Sequence, residues 1–223
     1  VVEMGSGGHT QLAQILAEKL KLDPAQVHVV AHVDTRVAPE HWKTVASMSL
    51  FMAGNAVLSA ADDAIEQLKK MGAVALRCQA GHLEVGGERV YQVSDPEVFI
   101  EIKHLVGGIK LENGIAIGGQ IIGPASYVME HLTALDTETG RGRTGPYWTP
   151  VAQAVEIEYD RRDCTYRLLR AVTAIDEGKV IHAAISRGQV TGGMHMGLSV
   201  ATREHFTYDG RAQLEQSSFR TYK

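Results

Sequence analysis

Apolar residues near the start of the chain recur at the spacing of one helical face. Successive members lie three, one and four positions apart, which aligns them as a stripe that a helix buries. They are Leu12, Ile15, Leu16 and Leu20. The stripe predicts a helix over 9–21, and Asp23-Pro24 follows where the pattern ends.

A second helix is predicted over 44–71, with Gly72 in the position of a terminating glycine. Its first half, 46–61, is free of charged residues, whereas acidic and basic residues enter the second half. A helix that is apolar all round is buried. We therefore expect 46–61 to be buried and the second half to reach solvent.

Segments rich in β-branched residues and bounded by turn residues predict strands. These segments are 27–33, 74–77, 89–93, 155–159 and 166–175. A short helix is predicted from Pro96, and a last helix over 183–204 leads to an arm that turns at Asp209-Gly210. The mixture of helices and strands predicts an α/β or α+β fold, with mixed sheets flanked by long helices.

The segment 133–150 is the one long irregular connection in this pattern, and it is rich in Gly, Thr, Arg and Pro. We expect 1–223 to be a piece of one domain, with a sub-division near 133–150. The chain begins with Val1 instead of Met, and no signal segment opens it. We interpret it as a fragment of something longer.

The 223 residues are 44% hydrophobic and carry a formal net charge of −4. This composition is typical of a folded protein, and it provides no basic field for nucleic acid. No apolar run reaches the roughly eighteen residues that suggest a membrane span. Cys78 and Cys164 lie far apart and indicate neither a disulfide framework nor a zinc site. We expect a cytoplasmic protein without a protein-ligated metal.

The glycine loop Gly5–Gly8 is the first candidate site, because it leads directly into the predicted helix. Such a loop leaves backbone N–H groups free, and the helix dipole adds partial positive charge, which suits an anionic ligand. The loop has neither the Walker nor the dinucleotide-binding spacing. An ordinary structural turn explains the same glycines equally well.

Two further segments combine polar groups with helix ends or glycines. Thr44, Ser47 and Ser49 crowd the start of the long helix, where the alternative is ordinary N-capping. Four glycines in 188–197 cost the last helix about 0.5–1 kcal/mol each relative to alanine. Close approach of a backbone or of a flat ligand would offset this cost, and Gln189 could then bond a heterocycle edge. Tight helix packing with Gln189 on the surface is the alternative.

Three ordered stretches resemble the molybdopterin subunit of the xanthine dehydrogenase/aldehyde oxidoreductase family. Residues 2–11 are similar to its E-M/I-G-Q-G-x-x-T opening. Residues 34–57, which include Pro39, are similar to its D-T…P…T-x-A-S…G-N-A-V stretch. Residues 155–198 are similar to its V-E-V-E-x-D…D-x-G…G-Q-x-x-G-G…G-L run. The resemblance places the chain in the C-terminal part of that subunit.

The resemblance implies a molybdopterin-binding fold and a parent enzyme that oxidises an aldehyde or N-heterocycle with oxygen derived from water. Electrons would pass to iron–sulfur clusters and FAD on partner domains or subunits. Several positions match cofactor-contacting stretches of the family. They are Met4, Gly5, Gly7, Ala46, Ser47, Ser49 and Gln189, with Ser6 standing where the family has Gln.

The family's catalytic Glu, in a G-x-G-E segment, has no counterpart in 1–223, so no catalytic residue is assigned and we expect the chain alone to be inactive. We expect the glycine loop, the helix start near Ser47 and Gln189 to converge on one cleft. The remainder of the subunit is an expected partner, and an exposed apolar patch would favour self-association. A diverged, non-catalytic scaffold or assembly module is the alternative function.

Overall fold

In the computed structural model, which describes residues 1–36 and 44–222, the first apolar stripe forms helix α1, Gly8–Leu20. This helix packs against the second helix, and Ala17 is buried. Lys21 ends it in the left-handed region, with φ 54°. The prediction of a helix over 9–21 is therefore confirmed, with its start one residue earlier.

Helix α2, Ala46–Ala75, is thirty residues long and continues past the predicted end at residue 71. The strand predicted over 74–77 is consequently wrong. Gly72 lies inside the helix, where a Cβ atom would stand 2.7 Å from Cγ1 of Val90. This glycine therefore allows the helix to approach a neighbouring strand closely and does not end the helix.

A three-stranded antiparallel sheet packs against α2. Its strands are β1, Leu83–Gly86, β2, Arg89–Gln92, and β3, Phe99–Glu101. The second half of α2 and this sheet share the main hydrophobic core. The core residues are Leu68, Met71, Leu83, Val85, Val90 and Leu105. The expectation that the first half of α2 is the buried half is therefore wrong. Most of 47–61 is only half-buried, because the sheet packs against the C-terminal half of the helix.

Two predicted elements, a strand and a helix, are absent from the described residues. The strand predicted over 27–33 does not form among the described residues, and Val30 is 86% exposed. The helix predicted from Pro96 is replaced by a turn, in which the Val98 amide donates to the Asp95 carbonyl over 3.0 Å. The chain then enters β3. The residue types at these two places favour a strand and a helix, but no neighbouring element stabilises either of them.

Short strands and an extended segment complete the first half of the chain. Strands β4, Ile109–Lys110, and β5, Ala116–Ile117, pair antiparallel. The segment beyond β5 lies along α2, since Gln67 Nε2 donates to the Ile122 carbonyl over 2.7 Å. Gly123 passes against the Ala60 carbonyl, where a Cβ atom has no room.

The chain forms two compact units, Val1–Pro146 and Tyr147–Lys223, with their boundary inside the irregular segment 133–150. The second unit contains the antiparallel hairpin of β6, Val151–Asp160, and β7, Thr165–Ile175, followed by helix α3, Ala183–Thr202. An antiparallel bridge joins Tyr208 and Leu214, so the predicted arm is confirmed. Helices and small sheets combine as the fold class predicted, and the paired strands are antiparallel.

Across the described part of the chain, no helix is both long and apolar enough to traverse a bilayer.

Candidate functional site

The glycine loop has backbone conformations that favour glycine. Gly5 has φ +97°, and Gly7, with φ 70°, occupies the N-cap position of α1. Both angles lie in the left-handed region, which glycine enters without the steric cost that a Cβ atom imposes. The sequence signal for a tight loop before a helix is therefore confirmed at these two positions.

The amide groups of this loop bind a carboxylate from the same chain. Glu3 Oε1 accepts from the amides of Gly5 and Gly7 over 2.8 and 2.9 Å. Glu3 Oε2 accepts from the amide of His9 over 3.2 Å. The expectation that these N–H groups are free for an external anion is therefore wrong for Gly5, Gly7 and His9. Glu3, two positions before the first glycine of the loop, was not selected from the sequence.

These contacts also set the charge state of Glu3. The hydrogen bond from the His9 amide, those from Gly7 and Gly5, and the charge of the His9 imidazole lower the pKa of the Glu3 carboxyl, partly opposed by desolvation. A carboxylate that accepts several N–H bonds is stabilised in its ionised form. Glu3 therefore brings a fixed negative charge to the N-terminal end of α1.

The glycine loop lies beside the start of α2. The amide of Val2 donates to Thr44 Oγ1 over 3.0 Å, although the two residues are 42 positions apart. Around this junction Met4 is 66% exposed, Ser6 is half-buried and Ser47 is exposed. The structure therefore brings together two of the three segments that the sequence selected. Pro39, which belongs to the second motif, lies outside the described residues.

Ser49 is buried, and its hydroxyl bonds to the backbone at the start of α2. Its Oγ atom accepts from the Val45 amide over 2.5 Å and donates to the Val45 carbonyl over 3.2 Å. Ala46 and Ser47 are the first two residues of the helix. The Ser49 hydroxyl is therefore bonded within the helix start, although Val45, the N-cap residue, has no side-chain cap of the ordinary kind.

A small cleft of about 300 Å³ opens beside α1, next to the glycine loop. His9 and Gln14 line it, together with residues near Val27. The Oε1 atom of Gln14 is buried and has no hydrogen-bond partner among the described residues. A buried acceptor without a partner costs free energy, and a donor in the cleft would reach this atom only after the Gln14 side chain turns towards the cleft.

The third segment belongs to the second unit. Gln189 is exposed on α3 and does not line the cleft of about 560 Å³ between β7 and α3. That cleft is spanned by a hydrogen bond from Thr173 Oγ1 to Met194 Sδ of 3.3 Å. Because the glycine loop lies in the first unit, the convergence of Gln189 with it remains a prediction.

The glycines of α3 face open space. A Cβ atom at Gly188, Gly192, Gly193 or Gly197 would meet no atom of the described chain within 4 Å. Tight packing of another element of this chain against these glycines, which was the alternative explanation for them, is therefore not observed in the described part. The four glycines therefore lower the helix propensity of α3, and no close contact with the described chain requires them.

The sequence model of the family described as "Molybdopterin cofactor-binding domain" matches residues 1–223. The chain is 27% identical, over 98% of its length, to the 6-hydroxypseudooxynicotine dehydrogenase complex subunit gamma of Paenarthrobacter nicotinovorans. It is 23% identical, over 99% of its length, to aldehyde oxidase 4 of Cavia porcellus. The chain spans 26% of the first relative and 14% of the second.

The fold is similar to that of a solved structure, quinoline 2-oxidoreductase from Pseudomonas putida 86. The TM-score is 0.77 with 19% sequence identity, and the match covers 100% of this chain and 27% of the other. This likeness concerns the fold, and it confirms the predicted fold class.

Proposed function

Because this chain belongs to the family of molybdopterin cofactor-binding domains, we propose that it forms part of the molybdopterin-holding subunit of a molybdenum hydroxylase. Its place is the C-terminal part of that subunit. The whole enzyme oxidises an aldehyde or an N-heterocycle, with the oxygen atom derived from water. The names of an aldehyde oxidase and of a quinoline oxidoreductase among the similar proteins support these two substrate classes.

The observation that carries this proposal is the junction between the glycine loop and the start of α2, held by the bond from Val2 to Thr44. Two segments that resemble cofactor-contacting stretches of the family meet there. The junction offers the hydroxyls of Ser6 and Ser47, and the side chain of Gln14 lines the adjacent cleft. These are the donors and acceptors that suit the heteroatom edges of a pterin.

The residues present fit a cofactor that carries its own metal ligands. No group of three or more His, Cys, Asp or Glu side chains that could hold a metal occurs within residues 1–36 and 44–222. The dithiolene of molybdopterin ligates molybdenum, so the protein contributes binding, orientation and electrostatics. When bound, the cofactor supplies the redox chemistry of the hydroxylation, and this chain holds the cofactor in place.

In this proposal, the cofactor contacts come from the positions selected by sequence: Met4, Gly5, Ser6, Gly7, Ala46, Ser47, Ser49 and Gln189. Ser6 replaces the long amide of the family with a short hydroxyl, which shortens the reach of the loop. The buried Ser49 acts through the start of α2, because its hydroxyl bonds to Val45. Ser6 also favours the second candidate function, a diverged scaffold module that does not hold the cofactor tightly.

The partners in this proposal are the remainder of the molybdopterin subunit and domains or subunits that carry FAD and iron–sulfur clusters. A relative named as the gamma subunit of a dehydrogenase complex supports such an assembly. The apolar face of the β6–β7 hairpin exposes Ile157, Tyr159 and Leu168, and it is the surface that the remainder of the subunit covers. Without that cover, we expect the isolated chain to self-associate through it.

Elemental and pterin analysis of the full-length parent protein tests the proposal. We expect molybdenum and pterin in equal and near-stoichiometric amounts, and a Ser6→Gln variant should retain more pterin after dialysis than the wild type. Ser94→Gln, at an exposed position, is the matched control and should leave pterin retention unchanged. A parent protein that carries no pterin when expressed in cells that make the cofactor would favour the scaffold function instead.

The 223-residue chain by itself should fold but remain empty and inactive. In this proposal the remainder of the subunit supplies some of the cofactor contacts, and Ser6 replaces a long amide. Loss of two charge-assisted hydrogen bonds to the cofactor phosphate would cost about 3–6 kcal/mol, which lowers affinity by at least about two orders of magnitude. Stoichiometric molybdenum in the purified chain, or turnover of an aldehyde by it, would contradict this expectation.

A further inference from the structure

Helix α1 begins without a cap of its own. Its N-cap residue is Gly7, which has no side chain to accept a hydrogen bond, and no acidic residue stands in its first turn. The first amides of a helix need acceptors from elsewhere. Glu3 provides them from outside the helix, and it bonds the His9 amide in the first turn as well as two loop amides.

The loop between Glu3 and α1 has little packing to hold its shape. A Cβ atom at Gly5 would have no neighbour within 4 Å, and Met4 is largely exposed. Glycine has more conformational freedom to lose than any other residue. The left-handed conformations of Gly5 and Gly7 therefore depend on hydrogen bonds. Three of these bonds end on the Glu3 carboxylate over 2.8, 2.9 and 3.2 Å, and two longer bonds run from Gln11 Nε2 to the Ser6 and Gly7 carbonyls over 3.3 and 3.4 Å.

We propose that Glu3 is a positioning residue, whose carboxylate fixes the Gly5–Gly8 loop and closes the N-terminal end of α1 to external anions. The loop is thereby held in one conformation next to the start of α2, to which Val2 is bonded. The relevance of this conformation to cofactor binding rests on the proposed function. The fixing of the loop by Glu3 does not.

The closure to anions follows from charge and from hydrogen bonding together. The partial positive charge of a helix N-terminus attracts anions, but here a negative charge from the chain already occupies that position. A phosphate would have to displace the Glu3 carboxylate from three amides. The titratable group that faces Glu3 from α1 is the His9 imidazole, whose Nε2 atom lies 3.1 Å from the Val1 carbonyl oxygen.

Amide NMR of the full 223-residue chain tests the fixing of the loop without any ligand. Because the folded-state pKa of Glu3 is lowered, the three bonds are complete above the ordinary pKa of a glutamate and are lost as pH falls through the lowered value. We expect the Gly5, Gly7 and His9 amide resonances to titrate together with the Glu3 carboxyl carbon. In Glu3→Gln this common titration should vanish, whereas Glu97→Gln, at an exposed position, should preserve it.

Inorganic phosphate tests the closure. We expect no saturable shift of the three amides in the wild type, and saturable shifts in Glu3→Ala, with binding at least about tenfold tighter than in the wild type. If Glu3→Ala does not fold, Glu3→Gln takes its place. Saturable phosphate shifts at these amides in the wild type, or three amides that titrate independently of the Glu3 carboxyl, would overturn the proposal. Neither result would bear on whether the parent protein retains pterin.

Discussion

The two compact units bury their apolar residues to very different extents. In the first unit, Leu83, Val90 and Leu105 are at most 1% exposed, and they form a core with α2. In the second unit, no described residue from 147 to 222 is fully buried. Both units contain apolar strands followed or preceded by a helix. The difference teaches that a core needs an element on the apolar face of the sheet, and that apolar composition alone does not produce one.

The hairpin of the second unit is amphipathic near its turn, over 155–160 of β6. One face of β6 carries Val155, Ile157 and Tyr159, whose partners across the pair include Leu168 and Tyr166. The helix that follows reaches β7 near Thr173, and the residues around Tyr159 remain about half exposed. A two-stranded hairpin is marginal in water unless another element covers its apolar face.

Two leucine-to-alanine substitutions, one in each unit, should show the largest difference in lost stability. Leu83→Ala in the first core should lower the free energy of unfolding by about 3 kcal/mol, because it leaves a cavity in a packed site. Leu168→Ala, which is 42% exposed in the wild type, should cost less than about 1 kcal/mol in the isolated chain. Urea unfolding followed by amide NMR in each unit measures both, and similar losses would contradict the comparison.

Hydrogen exchange should show the same contrast without a mutation. We expect the amides of β6 and β7 to exchange at least about tenfold faster than those of β2, because the hairpin opens locally without breaking a core. Exchange followed by mass spectrometry on the isolated chain and on the full-length parent gives the measurement. In the parent, cover from the rest of the subunit should slow the hairpin selectively, and equal protection in the isolated chain would refute this difference.

Two glycine-to-alanine substitutions should change stability in opposite directions. Gly72→Ala places a Cβ atom 2.7 Å from Val90 Cγ1, and the crowding should outweigh the gain in helix propensity by about 1 kcal/mol. Gly188→Ala meets no atom within 4 Å and should stabilise α3 by up to about 1 kcal/mol. Thermal unfolding of both variants tests this expectation. A destabilising Gly188→Ala would show that α3 is packed in solution.

The smallest effect is expected from the ion pair across the hairpin. Arg167 Nη2 lies 2.8 Å from Glu158 Oε2, and both side chains are exposed. Such surface pairs contribute about 0.2–1 kcal/mol at most. Glu158→Gln should therefore shift the unfolding free energy by a few tenths of a kcal/mol, with less effect in 0.5 M than in about 0.1 M salt. A loss comparable with that of Leu83→Ala would contradict the view of the hairpin as a solvated element.

The candidate site was only partly readable from the sequence. Motif order brought out the glycine loop and the start of α2, and the structure joins them through Val2 and Thr44. The role of Glu3 was missed, because one acidic residue before a loop has no pattern that distinguishes it from a surface charge. The bond from Ser49 to Val45 was also undetermined, since a hydroxyl near a helix start serves a ligand or a cap equally well.

The local sequence determined α1 from its apolar stripe, the extent of α3, and the hairpin of β6 and β7 from two β-branched segments joined by turn residues. The tertiary structure decided where an element ends and which side is buried. Gly72 stays inside α2 because Val90 packs against it, and 27–33 forms no strand because the described chain offers no pairing partner. The physical reason is that helical hydrogen bonds are local, whereas strand pairing and burial depend on residues that only the fold brings together.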